Sequence, residues 1–236
     1  MRHLRVLGLA LLALFAVGAV ASASASAALP QVLVGGVASA ATFKGTSEPV
    51  PKLETLKGTF VECEKSASTT EIGANGESGT FHVTFSGKCH AVRSGVSAEC
   101  TGLGDTTKGT ILALGTVKFV YDKLGTELGV AAHLTLEPVH FECEAFGVKE
   151  LVKVSGDLLC LITPINTLTA KSAILCKQTK GDSTELKYWE TSEGTEKITS
   201  LLTATAEGTA ESSGQETHEN LVSFVGGVEK AVTLDG

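Results

Sequence analysis

Apolar and polar residues alternate with a period of two along most of the chain beyond about residue 40. The pattern is clearest in Thr80–Ser86 (TFHVTFS), where Phe81, Val83 and Phe85 point one way and His82, Thr84 and Ser86 the other, as in a half-buried strand. Similar runs cover Gly58–Glu64, Thr110–Leu114, Thr116–Tyr121, Leu128–Leu136, Val139–Ala145, Val148–Val154, Leu158–Thr163, Glu185–Glu190, Lys197–Ala206, Glu216–Val225 and Lys230–Leu234. Joints such as Gly73-Ala74-Asn75-Gly76, Gly104-Asp105 and Gly181-Asp182 separate them. Turn signals roughly 8 to 12 residues apart are the mark of a sandwich or barrel. Leu158–Ile162, apolar on both parities, reads as a central strand, and Thr167–Gln178 is ambiguous in period. Glu207–Glu219, the least apolar stretch, reads as a loop plus a solvated strand. The pattern predicts an all-β fold, a multi-stranded, mostly antiparallel sandwich or barrel stapled by disulfides, in one domain spanning residues 42–236.

The N-terminus follows a different pattern. Arg2 and Arg5 precede an uncharged apolar run, Val6–Val20, and Ala21–Ala27 (ASASASA) offers small-residue cleavage sites. This reads as a secretory signal peptide over residues 1–27, cleaved after Ala27, because the run is shorter than the ~20 residues a spanning helix needs. A second site, Ala38-Ser39-Ala40, allows a later trim within the segment 28–41. If Leu29–Val37 (LPQVLVGGV) is kept, it needs a sheet edge to cover it. The expectation is a secreted protein without a membrane span after cleavage.

Charge narrows the partners. Without residues 1–27 the chain has 17 Lys plus Arg against 26 Asp plus Glu, a net charge of −9, and Arg93 is its one arginine. An acidic surface opposes nucleic acid and anionic lipid, and bidentate capture of phosphate is an arginine task.

Six cysteines without a Cys-x-x-Cys spacing in an exported chain point to disulfides. Ser94-Gly95 suits a two-residue hairpin turn that places Cys89 opposite Cys100, so these two are expected to pair. Cys63 and Cys143 share the parity of Val61 and of Val139 and Phe141, and a bridge between them would close a loop of about 80 residues. That leaves Cys160 and Cys176. A simple hairpin around Ile165 would hold them about 20 Å apart, so their bridge requires a different strand order.

The succession Lys52-Leu53-Glu54-Thr55-Leu56, Val61-Glu62-Cys63, Phe85-Ser86-Gly87-Lys88-Cys89, Glu99-Cys100-Thr101, Phe141-Glu142-Cys143 and Ile162-Thr163-Pro164-Ile165-Asn166 resembles uncharacterised exported β-rich, cysteine-containing proteins of soil actinobacteria. The resemblance covers roughly Thr42–Lys180. It implies an exported fold that includes the first four cysteines, and it brings no known activity. Cys160 and Cys176 depart from that pattern.

Candidate chemistry is sparse. There is no Gly-x-Ser-x-Gly elbow, as a serine hydrolase on an α/β sheet would show. His82 and His90 stand about 27 Å apart on a straight strand, and His133, His140 and His218 form no His-x-x-x-His pair, so no zinc site is specified. Glu62, Glu64, Glu142 and Glu144 flank Cys63 and Cys143, and a bridge there would gather them into one acidic patch. Such a patch is first of all a solvated face, then a calcium site through oxygen ligands, and last a glycosidase-like carboxylate pair. Tyr121, Tyr188 and Trp189 are the aromatics a sugar could stack on, although Tyr188 and Trp189, as strand neighbours, point to opposite faces. The sequence therefore points to a non-enzymatic binding, surface or envelope-associated protein without an obligate cofactor. Its alternatives are a secreted carboxylate hydrolase and a calcium-stabilised carbohydrate-binding module.

Overall fold

The computed structural model describes residues 29–48, 50–55, 59–124, 127–178, 186–191, 194–199, 202–206 and 209–236. The expected signal peptide, its cleavage site, the Gly181-Asp182 joint and the first residues of the runs beginning at Gly58 and Glu185 lie outside them. Among the described residues there is no helix, and nineteen strands form in this order: β1 (Gln31–Val34), β2 (Val37–Ala38), β3 (Ala41–Ser47), β4 (Lys52–Thr55), β5 (Phe60–Glu62), β6 (Lys65–Ile72), β7 (Ser78–Ser86), β8 (His90–Arg93), β9 (Val96–Gly102), β10 (Ile111–Leu124), β11 (Glu127–Ala145), β12 (Val148–Thr163), β13 (Lys171–Gln178), β14 (Leu186–Trp189), β15 (Glu196–Thr199), β16 (Thr203–Ala206), β17 (Thr209–Val225), β18 (Val228–Glu229) and β19 (Thr233–Asp235).

Sixteen strands form one antiparallel sheet whose pairings branch rather than close as a single simple barrel. One ring of pairings runs β3-β6-β7-β10-β11-β12-β13-β17 and back to β3. A second runs β4-β5-β8-β9-β11-β12-β16-β17 and back to β4. The two rings share β11, β12 and β17, which are long enough to serve both. Closure of each ring leaves few free edges to invite pairing with another chain.

The runs that the sequence divides are continuous strands. Thr110–Leu114 and Thr116–Tyr121 merge in β10 through Gly115, whose inward side has no room for a Cβ because the Phe81 ring lies 2.8 Å from where it would stand. In β11 the register shifts between Leu136 and Val139, across Pro138, which has no N–H to give to a ladder. The bulge changes the inward parity from Val130, Ala132, Leu134 and Leu136 to Val139, Phe141 and Cys143, so one strand can line both rings.

A separate sheet of order β19-β1-β2 supplies the edge that the Leu29–Val37 segment requires. Val32 is fully buried there, and its N–H donates to Gly76 O at 2.8 Å. Val232 and Leu234 beside it complete one end of the core, tied by Asn166 N–H donating to Leu234 O at 2.8 Å.

The disulfides join Cys63 to Cys89, Cys100 to Cys143 and Cys160 to Cys176. This corrects the expected Cys89–Cys100 and Cys63–Cys143 bridges. The Ser94-Gly95 turn does form, with both residues at positive φ, and it sets Arg93 against Val96 and His90 against Glu99. Cys89 and Cys100 are thus opposed, but Cys100 N–H donates to Cys89 O at 2.8 Å. A residue whose backbone polar groups face one neighbour presents a non-hydrogen-bonded site to its other neighbour, where Cα atoms come closest. Cys89 therefore bridges away from its hairpin mate to Cys63, and Cys100 to Cys143, at Cα separations of 4.1 and 4.0 Å. The four lie in one row that alternates disulfide, hydrogen bond, disulfide.

Cys160 and Cys176 are directly opposed on β12 and β13. No change of strand order is needed. The connection runs from Pro164 to Ala170 instead of turning tightly at Ile165, which moves the centre of the hairpin three residues along.

Candidate functional site

Inward-facing side chains from both rings enclose a cavity of about 180 Å³. Much of its wall is apolar and follows directly from strand alternation: Phe81, Val83 and Phe85 of β7, Ile111, Ala113, Val117 and Phe119 of β10, Leu134, Val139 and Phe141 of β11, and Val154 and Leu158 of β12. An engineered apolar cavity of about 150 Å³ stays dry and accepts a benzene-sized guest, which sets the scale of what fits here.

Another stretch of the lining, next to β7, is polar. It is built by β6, which turns Ser66, Ser68 and Thr70 inward, and by β17, which does the same with Ser213, Gln215, Thr217 and Glu219. This corrects the reading of Glu207–Glu219 as loop and solvated strand: its described part from Thr209 is strand, and Ser213, Thr217 and Glu219 are buried. Its polarity faces inward.

Glu219 is the centre of that wall. Its residue is only 5% exposed, and its two carboxylate oxygens accept hydrogen bonds from the Ser66 hydroxyl at 2.5 Å and from the Ser68 hydroxyl. Gly45 on β3 makes the space for it, since a Cβ there would collide with Ser68 Oγ and Glu219 Oε2 and stand 2.8 Å from Leu221 Cδ2. Towards the second ring Gln178 donates to Ser213 O at 2.7 Å and to Leu202 O at 3.2 Å, and it accepts from Leu202 N–H at 3.2 Å. Gln215 donates to Thr217 Oγ1, while its own Oε1 is buried without a partner. Among the described lining residues Glu219 is the one carboxylate.

The four glutamates singled out from the sequence do not form one patch. With Cys63 and Cys143 unbridged, Glu62 and Glu144 sit at opposite ends of a cross-strand row, Glu62, His90, Glu99, Glu144. Three strand spacings separate them by about 14 Å. Each has a lysine within reach: Lys52 for Glu62 at 3.8 Å, Lys88 for Glu64 at 3.6 Å, and Lys149 for Glu142 at 2.6 Å and for Glu144 at 3.8 Å. These are surface ion pairs. The described residues contain no group of three or more His, Cys, Asp or Glu side chains placed to hold an ion.

His82 and His140 point outward, and His90 Nδ1 lies 3.0 Å from Lys88 O. His133 takes part in a cluster outside the first ring. Its Nε2 is 3.3 Å from Asp157 Oδ2, and its ring lies 4.7 Å from that of Tyr188. Lys118 donates to Glu190 at 2.7 Å and holds that carboxyl below the usual carboxylate range, whereas burial pushes the Tyr188 hydroxyl up. The cluster fastens the β14–β15 hairpin to β10, whose partner in the sheet it becomes at Tyr121–Trp189. Tyr121 points inward near the chain end, its hydroxyl raised by burial and then by Asp235. Tyr121, Tyr188 and Trp189 thus share no exposed platform for a sugar.

The signal for the cavity was present as an anomaly. Ser66, Ser68 and Thr70 alternate as regularly as Phe81, Val83 and Phe85, with polar residues in the inward places. Comparison with protein-family models, with curated proteins and with solved structures finds no match.

Proposed function

We propose that this chain is an exported, non-enzymatic binding protein that carries a small, largely apolar molecule inside its fused rings. The observation that supports this most is the cavity itself: an apolar wall meets a polar wall whose carboxylate is buried, the arrangement of a site that holds a molecule by shape and orients it by a few polar groups. Export is supported by the signal-like N-terminus and by three disulfides, which persist in oxidising compartments. The net charge of −9 without residues 1–27 disfavours nucleic acid as a partner. A glycosidase would need two carboxylates about 5 to 9.5 Å apart in a cleft; Glu219 is the one carboxylate among the described cavity-lining residues, and Glu142 and Glu144, which share Lys149, lie on an exposed face. Calcium would act at most as a surface ligand of the paired glutamates.

Thermal melts in benzene and naphthalene test the reading. A guest that binds only the folded chain raises the melting temperature, increasingly so as its concentration exceeds the dissociation constant. Benzene is expected to do so, and Ala132→Phe, which fills the cavity, is expected to abolish the shift. No shift for either probe at its solubility limit would contradict the proposal.

A further inference from the structure

The polar wall has a particular kind of unspent capacity. An ionised carboxylate offers about four acceptor sites, and the Ser66 and Ser68 hydroxyls occupy two of those of Glu219. Gln215 has committed an amide hydrogen to Thr217, and its Oε1 waits for a donor. Residues 215, 217 and 219 share one face of β17, so both unfilled acceptors belong to the same wall. The serine hydrogens nearest the carboxylate are already used.

No cation among the described residues meets Glu219. Lys52 is the one basic side chain on the lining, and its ammonium is turned to Glu62, at 3.8 Å, and to the face of Phe60, 4.4 Å from the ring centre. A carboxylate placed beside hydrocarbon without a counter-charge is costly, and two neutral donors offset only part of that cost. The missing partner is a cationic donor that reaches Glu219 from the cavity it lines. Opposite stand Leu134, Phe141 and Leu158, which would take an apolar body.

Building on the binding reading above, we propose that the ligand is an apolar amine of about one ring in size, whose protonated nitrogen pairs with Glu219. Anions of the same shape are excluded by the same carboxylate.

Isothermal titration of the protein with phenethylamine, 2-phenylethanol, ethylbenzene and 3-phenylpropionate tests this. A charge-assisted hydrogen bond predicts that phenethylamine binds about tenfold or more tighter than ethylbenzene, with the alcohol between them and no measurable binding of the acid. Glu219→Gln should reduce the amine to the affinity of ethylbenzene and leave ethylbenzene unchanged. The ranking in the unmodified protein decides the matter even if that variant does not fold. An amine no tighter than ethylbenzene or the alcohol, or an amine preference that survives Glu219→Gln, overturns the amine assignment and leaves the cavity a binding site. Failure of all four probes overturns the binding reading and the assignment with it.

Discussion

The two walls of the cavity use the same strand geometry to opposite ends. On β7 and β10 the inward positions are Phe81, Val83, Phe85, Ile111, Val117 and Phe119, and their burial drives folding. On β6 and β17 the inward positions are Ser66, Ser68, Thr217 and Glu219, which gain little from leaving water and depend on one another for hydrogen bonds. A wall that contributes so little to stability and still faces the interior is best understood through what it contacts. The apolar wall holds the protein together, and in the proposed reading the polar wall serves recognition.

This contrast can be broken by mutation. Phe141→Ala on the apolar wall, where the residue is 2% exposed, should cost about 3 to 5 kcal/mol in denaturant unfolding. Thr217→Val on the polar wall keeps the side-chain shape but takes the acceptor from the Gln215 amide, so it should cost about 1 to 3 kcal/mol while also weakening amine binding. Comparable losses at the two positions would show that the polar wall is structural.

The bridges come next in size. In the chain-entropy view, removing Cys100–Cys143, with a separation of 43 residues, should cost about 4 kcal/mol, Cys63–Cys89 at 26 about 3.5, and Cys160–Cys176 at 16 about 3. Replacing each pair by Ala and comparing unfolding midpoints ranks them. The reverse order would indicate that native geometry outweighs loop length.

Gly45→Ala sharpens the comparison locally. The added methyl meets Ser68, Glu219 and Leu221, so a loss of about 1 to 3 kcal/mol is expected together with loss of amine binding. Unchanged binding would mean that the carboxylate position is not what the guest senses.

The smallest effect lies outside the rings. The carboxyl of Glu190 is lowered first by its hydrogen bond from Lys118, so its contribution is full above the ordinary carboxylate range and fades as pH falls through the depressed value. The pair is more than a third exposed, and such pairs contribute about 0.2 to 1 kcal/mol at most. Melts between pH 6 and 3 should show a slightly smaller acid loss in Lys118→Met than in the unmodified protein. An identical pH profile would remove the pair from the account.

What could be read from sequence follows the same division. Strands whose inward residues are apolar, such as Thr80–Ser86, announce themselves, whereas Lys65–Ile72 and the part of β17 before Glu216 hide because most of their residues are polar on both faces. The Ser94-Gly95 hairpin was legible to the residue, and so was the opposition of Cys89 and Cys100. Their disulfide partners were not, because these come from Cys63, just after β5, and from β11, across the other edges of the hairpin. The parity of that hairpin nevertheless marks the two as a hydrogen-bonded pair and turns their sulfurs toward those neighbours. The acidic patch failed with the bridge that was to assemble it: each glutamate flanks a cysteine as expected, but two intervening strands hold Glu62 and Glu144 apart.

The central claim is that a small guest occupies the interior between the two walls. A crystal of the protein soaked in bromobenzene tests it most directly, because the bromine can be located by its anomalous signal. One strong peak is expected inside the rings, between Leu134 and Glu219. An interior without bromine, with peaks only at outward apolar residues such as Phe146 and Val148 at the tip joining β11 to β12, would contradict it.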